Sequence, residues 1–373
     1  MQSITKSTPL ASSVDGSQLE ETHLKDEQQP ITAGLCGCEE EGMWDDFVLS
    51  HPNGSPFHLT AWKKSIEETY HYQPVYIVAR EGKTIRGVLP LFLVRNFLVK
   101  RALISSPFAV YGGVLADCEG ARSAIKERLI SLARELRVQY VELRNAVPEQ
   151  CLGFERVSRY VTFTQELRGD EPAILESIPR KTRRMVRKSL ENDYSVHQTT
   201  GWSESFFELY TRNLRRLGTP AFSRKHFARL LANFQSMIDI REIALAGRPV
   251  AAVLSFYFSD QVLPYYGASD PAAHAASPNN FMYFDLMRWA AQNGYRTFDF
   301  GRSRKQASGS YDFKAHWGMV ERELPYEFLL VRRKELPQYN PGNSRFGFFL
   351  KMWQRLPLPV TRMLGPSVVR LFP

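Results

Sequence analysis

The sequence predicts a mixed α/β fold built from two tandem copies of one unit. Three observations predict it. A strand–turn–strand segment, an extended run, an amphipathic helix and a further strand occur twice in the same order. Corresponding landmarks lie about 155–165 residues apart, a near-constant offset expected of a duplicated unit. The 373 residues, 43% hydrophobic and 23% charged, can fill two or three domain-sized cores, which excludes a collagen-like fibre and wholesale disorder.

The first 42 residues read as a disordered acidic leader. They are rich in Ser, Thr, Gln and Glu and hold no apolar stretch of the kind a secretory signal needs. The first unit spans 43–175. Residues 56–72 look helical, and 74–94 read as strand, turn and strand with the turn at Glu81-Gly82-Lys83. Residues 109–117 form an extended run. Over 122–137, Ile125, Leu129, Leu132, Ala133 and Leu136 fall on one helical face. In the strand 138–146, Val141 and Leu143 alternate with Glu142 and Arg144.

The second unit spans 176–335. It opens with 178–194, where six of nine residues over 180–188 are basic, and the spacing of Ile178, Met185 and Leu190 predicts a helix with a cationic face. Two helical stretches follow, parted by Gly218-Thr219-Pro220. The repeat then returns: strand–turn–strand over 240–259, an extended run over 262–270, a helix over 280–294 and a strand over 295–303.

Charge is unevenly spread. Residues 1–50 carry −8 of a formal net charge of +9, so the rest of the chain is strongly basic. A basic body fits anionic partners: phosphates, coenzyme, nucleic acid or an acidic membrane face. Scattered surface charge is the plain alternative. Residues 336–373 form a basic amphipathic segment, which either lies on an anionic membrane or packs as short, proline-broken helices on the body. No apolar stretch reaches the ~20 residues of a bilayer span. Four cysteines are too few for a disulfide scaffold, and a reducing cytoplasm fits them best, with a peripheral seat at the inner membrane left open. His197, His226, His274 and His316 show no metal-ligand spacing, and no dinucleotide fingerprint is present. No aromatics interleave with the basic helix, which argues against sequence-specific nucleic-acid binding and against a DNA partner.

Several short words carry a resemblance. They are Pro179-Arg180-Lys181-x-Arg183-Arg184, Arg215-Arg216-x-Gly218-Thr219-Pro220-x-Phe222-Ser223 and Tyr266-Gly267-Ala268. Phe298-Asp299-Phe300-Gly301-Arg302-Ser303 and Gly309-x-Tyr311-x-Phe313-Lys314-x-x-Trp317-Gly318 follow. In this order, over about 45–335, the chain resembles the FemAB-type aminoacyltransferases and the BioF2-like acetyltransferase domains, both built from tandem acetyltransferase (GNAT) units. The C-terminal Trp353-x-x-Leu356-Pro357-Leu358-Pro359 and Leu364-Gly365-Pro366 look like a subgroup found beside exosortase (PEP-CTERM) and exopolysaccharide gene clusters. The resemblance implies N-acyl transfer to an amine, with acyl-coenzyme A or aminoacyl-tRNA as donor and a cell-envelope or exopolysaccharide precursor as acceptor. A departure bears on tRNA: the long helical arm of some Fem enzymes has no counterpart here, since 202–238 carries no sustained heptads.

Acyl transfer needs aligned substrates, a deprotonated amine, donors for the oxyanion and a seat for phosphates. Lys314, in a loop between glycines, is expected to reach a phosphate, and Tyr311 to donate to a carbonyl or stack on a sugar, unless it simply packs in the core. Asp299 is expected to bind or deprotonate the amine, unless it merely pairs with Arg302 or Arg304. Catalysis is thus assigned to Asp299, Lys314 and Tyr311. Tyr266, Arg302, Arg304, Asn280, Arg183, Arg184 and Trp317 are assigned to substrate binding, Asn280 as a helix N-cap at a pyrophosphate seat. The residues before that helix, 272–278, hold no glycine, unlike the usual coenzyme A loop, so the donor stays open. Two competitors remain: a Fem-like, tRNA-dependent peptidoglycan-precursor ligase, and a non-catalytic envelope-assembly adaptor.

Overall fold

A computed structural model describes residues 29–305, 309–337 and 344–373, with the side chains of 344–348 left aside. Among the described residues the strands form three sheets of four, six and seven strands. The tandem reading holds, with mixed sheets and helices in each unit. Each unit contains one parallel strand pair joined by a helix. In the first, Lys100–Ser105 crosses by the helix Glu119–Glu135 to Tyr140–Leu143. In the second, Gln261–Ser269 crosses by Pro278–Gln292 to Thr297–Arg304. Parallel strands need such a crossover, so this segment is the signature of the duplication.

The sheets interleave across the boundary expected at 175/176. Tyr160–Glu166 sits in the seven-stranded sheet, between Thr297–Arg304 and Val320–Glu323. Tyr326–Leu330 returns to the six-stranded sheet, between Tyr140–Leu143 and Glu155–Val157. Each unit therefore borrows a strand from sequence on the other side of the cut.

Three apolar clusters follow from this arrangement. One backs the first unit around Ile125, Leu129 and Leu143, and one backs the second around Phe284, Phe298 and Trp317. The third lies between the units and mixes Trp44, Phe57 and Trp62 with Phe206, Phe227 and Phe256. The central strands of the six- and seven-stranded sheets are thus covered on two faces and read as nearly continuous apolar runs, as in Leu91–Asn96 and Arg248–Phe258. The helix Glu119–Glu135 buries Ile125, Leu129, Leu132 and Ala133 as its period predicts.

Elsewhere the structure corrects the sequence reading. The leader is not wholly unstructured: Ile31–Leu35 pairs antiparallel with Ile77–Glu81, while residues 1–28 lie outside the described residues. The run 109–117 is mostly an irregular loop, strand only at Leu115–Ala116, with Phe108 and Gly112 at positive φ. The sequence did not show that Glu142 and Arg144 are both buried and pair at 2.9 Å, with Arg144 also donating to the carbonyls of Ser106, Ala109 and Pro373. The cationic helix Arg180–Leu190 buries Thr182, Val186 and Ser189, leaving Met185 and Leu190 exposed. The C-terminal helices Ser344–Arg355 and Leu358–Val369 pack on the helix Glu204–Leu217. Arg215 Nε donates to the Leu356 carbonyl (2.6 Å) and Arg362 Nε to Thr211 Oγ1 (3.0 Å). Among the described residues no helix is long and apolar enough to cross a membrane.

The borrowed strand is clamped by one carboxylate. Glu327, wholly buried, accepts the N–H groups of Leu152, Gly153 and Phe154, each at 2.8 Å, and the Asn145 amide at 3.0 Å. Removing it would take the acceptor from the buried Leu152 N–H and the part-buried N–H groups of Gly153 and Phe154. We expect Glu327→Ala to lower the unfolding free energy by roughly 3–5 kcal/mol, read by urea denaturation. A loss below about 1 kcal/mol would contradict the clamp.

Two buried histidines predict acid lability. His58 bridges Ser55 Oγ (2.7 Å) and the Gly113 carbonyl (3.1 Å), and burial pulls it down to about 4. His226 bridges Tyr70 and Tyr266 (3.1 and 3.0 Å), and burial pulls it down to about 3. Both are neutral when folded but take up a proton when unfolded below their ordinary value. Stability should therefore fall as pH drops through about 6.5 toward 4, by roughly 2 kcal/mol per histidine between pH 7 and pH 5. A flat stability profile across that window would count against this assignment.

Candidate active site at the parted strands of the second unit

Parallel pairing between Gln261–Ser269 and Thr297–Arg304 covers only Gln261/Thr297 and Val262/Phe298. Beyond these residues each strand follows its other neighbour, and the sheet opens. The first unit treats the corresponding place differently. There the Arg144 N–H donates to Ser105 Oγ (2.8 Å), and its guanidinium reaches the carbonyls of Ser106 (3.3 Å) and Ala109 (3.1 Å). Its strand ends are tied together; those of the second unit are not.

Asp299 is the first residue past the divergence. Strand alternation sends Phe298 and Phe300 into the apolar cluster and Asp299 to the opposite face, as the sequence predicts. Its buried carboxylate accepts Tyr111 Oη (2.5 Å), Thr162 Oγ1 (2.9 Å) and the Gly301 N–H (2.7 Å). Burial raises its pKa, and these three donors pull against that rise. Asp299 pairs with neither Arg302 nor Arg304. Three of its roughly four lone-pair sites are engaged, one on Oδ2 and two on Oδ1. Gly301 lies at φ +66, so the turn that offers its N–H suits glycine.

Lys314 stands on the short helix Gly309–Ala315, not in the loop expected from sequence. Its ammonium donates to the carbonyls of Gly301 (2.9 Å) and Arg302 (3.0 Å). Burial brings its pKa down to about 8, Asp299 opposes that fall, and Arg302 adds to it. No carboxylate lies within ion-pair distance of it among the described residues. Arg302 lies over the Tyr160 ring at 4.5 Å and donates to Tyr326 Oη (3.2 Å). Tyr326 in turn donates to the Val110 carbonyl (2.5 Å), and Tyr265 to the Phe108 carbonyl (2.9 Å). The loop 106–114 of the first unit is thus read by Tyr265, Asp299 and Tyr326.

The other predicted residues fall into different places. Trp317 is buried against Phe300, Phe313 and Tyr283, and its Nε1 has no partner among the described residues. Tyr311 is directed outward and donates to Glu321 Oε2 (2.6 Å), away from Asp299. Tyr266 belongs to the aromatic core with His226. Arg304 is exposed at the strand end beside Tyr160. Arg183 and Arg184 lie on the cationic helix, which is joined to this region where Thr182 Oγ1 donates to the His316 carbonyl (2.6 Å). Asn280 is not the N-cap; Ser277 is, at φ +59. Pro278 has no N–H, and those of Asn280 and Phe281 both go to the Ser277 carbonyl. The helix start therefore has little left with which to seat a pyrophosphate. Tyr111, Thr162, Tyr160 and Tyr326 were not foreseen. They come from distant segments, and no local motif marks them. Among the described residues no group of three or more His, Cys, Asp or Glu side chains is placed to hold a metal ion.

Residues 177–315 match the acetyltransferase (GNAT) domain model. No curated protein matches the chain. Among solved structures, the crystal structure of FemX aligns with a TM-score of 0.67 at 16% identity, over 80% of this chain and 97% of that one. The structure of L-PGS from Bacillus licheniformis aligns with a TM-score of 0.54 at 14% identity, over 91% of this chain and 98% of that one. At these identities the likeness is one of fold. With the acetyltransferase domain set in this fold, the chain is an acyltransferase enzyme.

Gly267, on the parted strand, tests the packing of the site. A Cβ there would lie 2.6 Å from Tyr283 Oη. We expect Gly267→Ala to cost about 1–3 kcal/mol, and Tyr283→Phe in the same chain to recover most of it. Thermal melts of the four variants of the cycle read the coupling; strict additivity would overturn the contact.

Proposed function

We propose that this protein is an N-acyltransferase that moves an acyl or aminoacyl group onto an amine of a cell-envelope or exopolysaccharide precursor. One observation carries the reading. Where the strands of the second unit part, Lys314 is half-buried without a carboxylate partner among the described residues, its charge met by two carbonyls, one of them that of Arg302. A cation left this way favours negative charge that arrives with a substrate or develops during reaction.

The amine attacks the donor carbonyl, a carbon–nitrogen bond forms, and the bond to the donor sulfur or ribose oxygen breaks. Lys314 stabilises the oxyanion and can hand a proton to the leaving group, since its pKa of about 8 lies close to ambient pH. Asp299 does not take the amine proton; it holds Tyr111 and the 106–114 loop over the site. The amine proton leaves through the substrate or solvent. Tyr311, Arg304, Asn280 and Tyr266 take no part in this step.

A second reading keeps acyl transfer but makes the donor aminoacyl-tRNA, as in a Fem-like ligase. The helix start at Ser277 favours it, because Pro278 has no N–H and those of Asn280 and Phe281 already go to the Ser277 carbonyl, which leaves few amides for a coenzyme A pyrophosphate. The cationic helix Arg180–Leu190, with Arg183 and Arg184, is then the surface for the tRNA backbone. Incubation with labelled acetyl-coenzyme A and, in parallel, with charged tRNA decides between donors.

With the active donor, Lys314→Met is expected to lower kcat by about 10²–10³-fold with a smaller change in KM. Lys314→Arg should abolish any rate step that titrates near pH 8. Unchanged kcat in Lys314→Met would sink the mechanism. If Lys314→Ala and Asp299→Ala both preserve the biological output while loss of 332–373 removes it, the non-catalytic adaptor takes its place.

A further inference from the structure

The strongest unused feature is a surface formed by two segments distant in sequence. The hairpin tip between Leu91–Asn96 and Lys100–Ser105 carries Phe97, 74% exposed, and Leu98. The last helix, Leu358–Val369, carries Met363, 71% exposed, and Leu364, and Phe372 follows it. The two are fastened together. Asn96 Nδ2 donates to the carbonyls of Arg370 (3.0 Å) and Leu371 (3.3 Å), and Asn96 Oδ1 accepts the N–H groups of Leu98 and Val99 at 2.9 Å. One amide side chain therefore sets the shape of the tip and seats it on the C-terminal segment. Arg370 also fixes the C-terminal segment to the body by donating to the Tyr70 carbonyl (3.0 Å), at the end of the helix Thr60–Tyr70.

Charge says what this surface meets. From 82 to 116 the chain has no Asp or Glu, and from 336 to 373 it has none either. Exposed Arg95, Lys100, Lys351, Arg355 and Arg370 lie within these acid-free segments. A folded-core explanation fails for Phe97, which is among the most exposed large apolar side chains described. A tip of Phe and Leu flanked by Arg and Lys matches the depth profile of a bilayer surface, with apolar groups at the acyl boundary and cations at the lipid phosphates. A nucleic acid would use the cations and leave Phe97, Met363 and Phe372 in water.

We propose that the hairpin tip 96–100 and the C-terminal helix together form a peripheral docking surface for an anionic lipid bilayer. Phe97, Leu98, Met363 and Phe372 enter the interfacial layer, and Arg95, Lys351 and Arg355 contact lipid phosphates. The site of acyl transfer is then held beside a membrane, where a lipid-linked acceptor would be found. The docking surface stands apart from the acyl-transfer reading, since its residues touch none of Asp299, Lys314 or Tyr111.

The test is co-sedimentation of the full chain with vesicles, which needs no substrate. Vesicles of phosphatidylcholine with about one third phosphatidylglycerol should bind the protein, while pure phosphatidylcholine should bind it at least about tenfold less. Phe97→Ser with Met363→Ser should lower partitioning into the anionic vesicles by about tenfold or more, with an unchanged thermal melt. Arg95→Gln with Lys351→Gln should weaken it several-fold and flatten its salt dependence. Absence of vesicle binding at low salt would overturn the proposal. So would binding indifferent to Phe97→Ser with Met363→Ser, or competition by tRNA that abolishes vesicle binding and shows the same loss in the Arg95→Gln, Lys351→Gln variant, which would make the surface a polyanion site. If the wild-type chain transfers no acyl group from either donor while vesicle binding is intact, the acyl-transfer reading falls and the docking surface stands.

Discussion

A buried carboxylate must have its lone pairs filled, or it will not stay buried as an anion. Asp299 meets that demand with donors from far along the chain: Tyr111 is 188 residues away and Thr162 is 137. A single side chain therefore requires that the first unit's 106–114 loop, the linking strand Tyr160–Glu166 and the second unit's strand Thr297–Arg304 meet at one point. Tyr326 and Tyr265 add two more contacts to the same loop, both to backbone carbonyls. The loop is irregular and has residues at positive φ, so it would not hold this path on its own strength. Its shape is imposed from both sides, by His58, Ser106 and Arg144 in the first unit and by Asp299 in the second. The parted strands are the opening; this clasp determines what lies over it.

The strand exchange explains why neither unit is a free-standing module. Tyr326 and Glu327 are neighbours on one strand, so their side chains leave on opposite faces. Tyr326 reaches Arg302 and the Val110 carbonyl, next to the site. Glu327 gathers the amides of Leu152, Gly153 and Phe154 on the far side. One residue step thus couples closure of the first unit's sheet to placement of the second unit's arginine. The shared aromatic core, with Phe57 against Phe256 and Tyr265, fills the space between.

What the sequence made legible was local and periodic. Ile125, Leu129, Leu132 and Ala133 repeat at helical spacing, and the helix Glu119–Glu135 buries them. The strand pairs over 238–258 and the crossover helices follow from similarly short-range patterns. Readings failed where a second surface covered the first. Alternation of Val141 and Leu143 with Glu142 and Arg144 marked a strand, but it could not show that both charged residues are buried and neutralise each other. Met185 and Leu190 lost the buried face of their helix to Thr182, Val186 and Ser189, because Thr182 and Ser189 satisfy their hydroxyls on nearby carbonyls. Tyr111, Thr162 and Tyr326 left no trace at short range, since a hydroxyl donor to a distant carboxylate has no required neighbour in sequence. Asp299 and Lys314 both stand near the parted strands, while Tyr311 turns to Glu321. The segment 309–315 coils into a helix, which turns Lys314 back onto Gly301 and Arg302 and sends Tyr311 toward Glu321.

That coil also separates two chemical roles that a sequence reading lumps together. Asp299 and Lys314 lie near enough for the carboxylate to favour the ammonium, yet they do not form an ion pair. Had they paired directly, Lys314 would be a fixed cation and Asp299 a fixed anion, and neither would have much to offer a reaction. Instead the carboxylate is satisfied by two hydroxyls and an amide, all neutral donors. The lysine is satisfied by carbonyls, which support its charge without cancelling it. Positive charge therefore remains at the point where the strands part, with a proton affinity lowered far enough to be exchanged near neutral pH. Neutral donors on the carboxylate and neutral acceptors on the ammonium are what keep the two groups from neutralising one another.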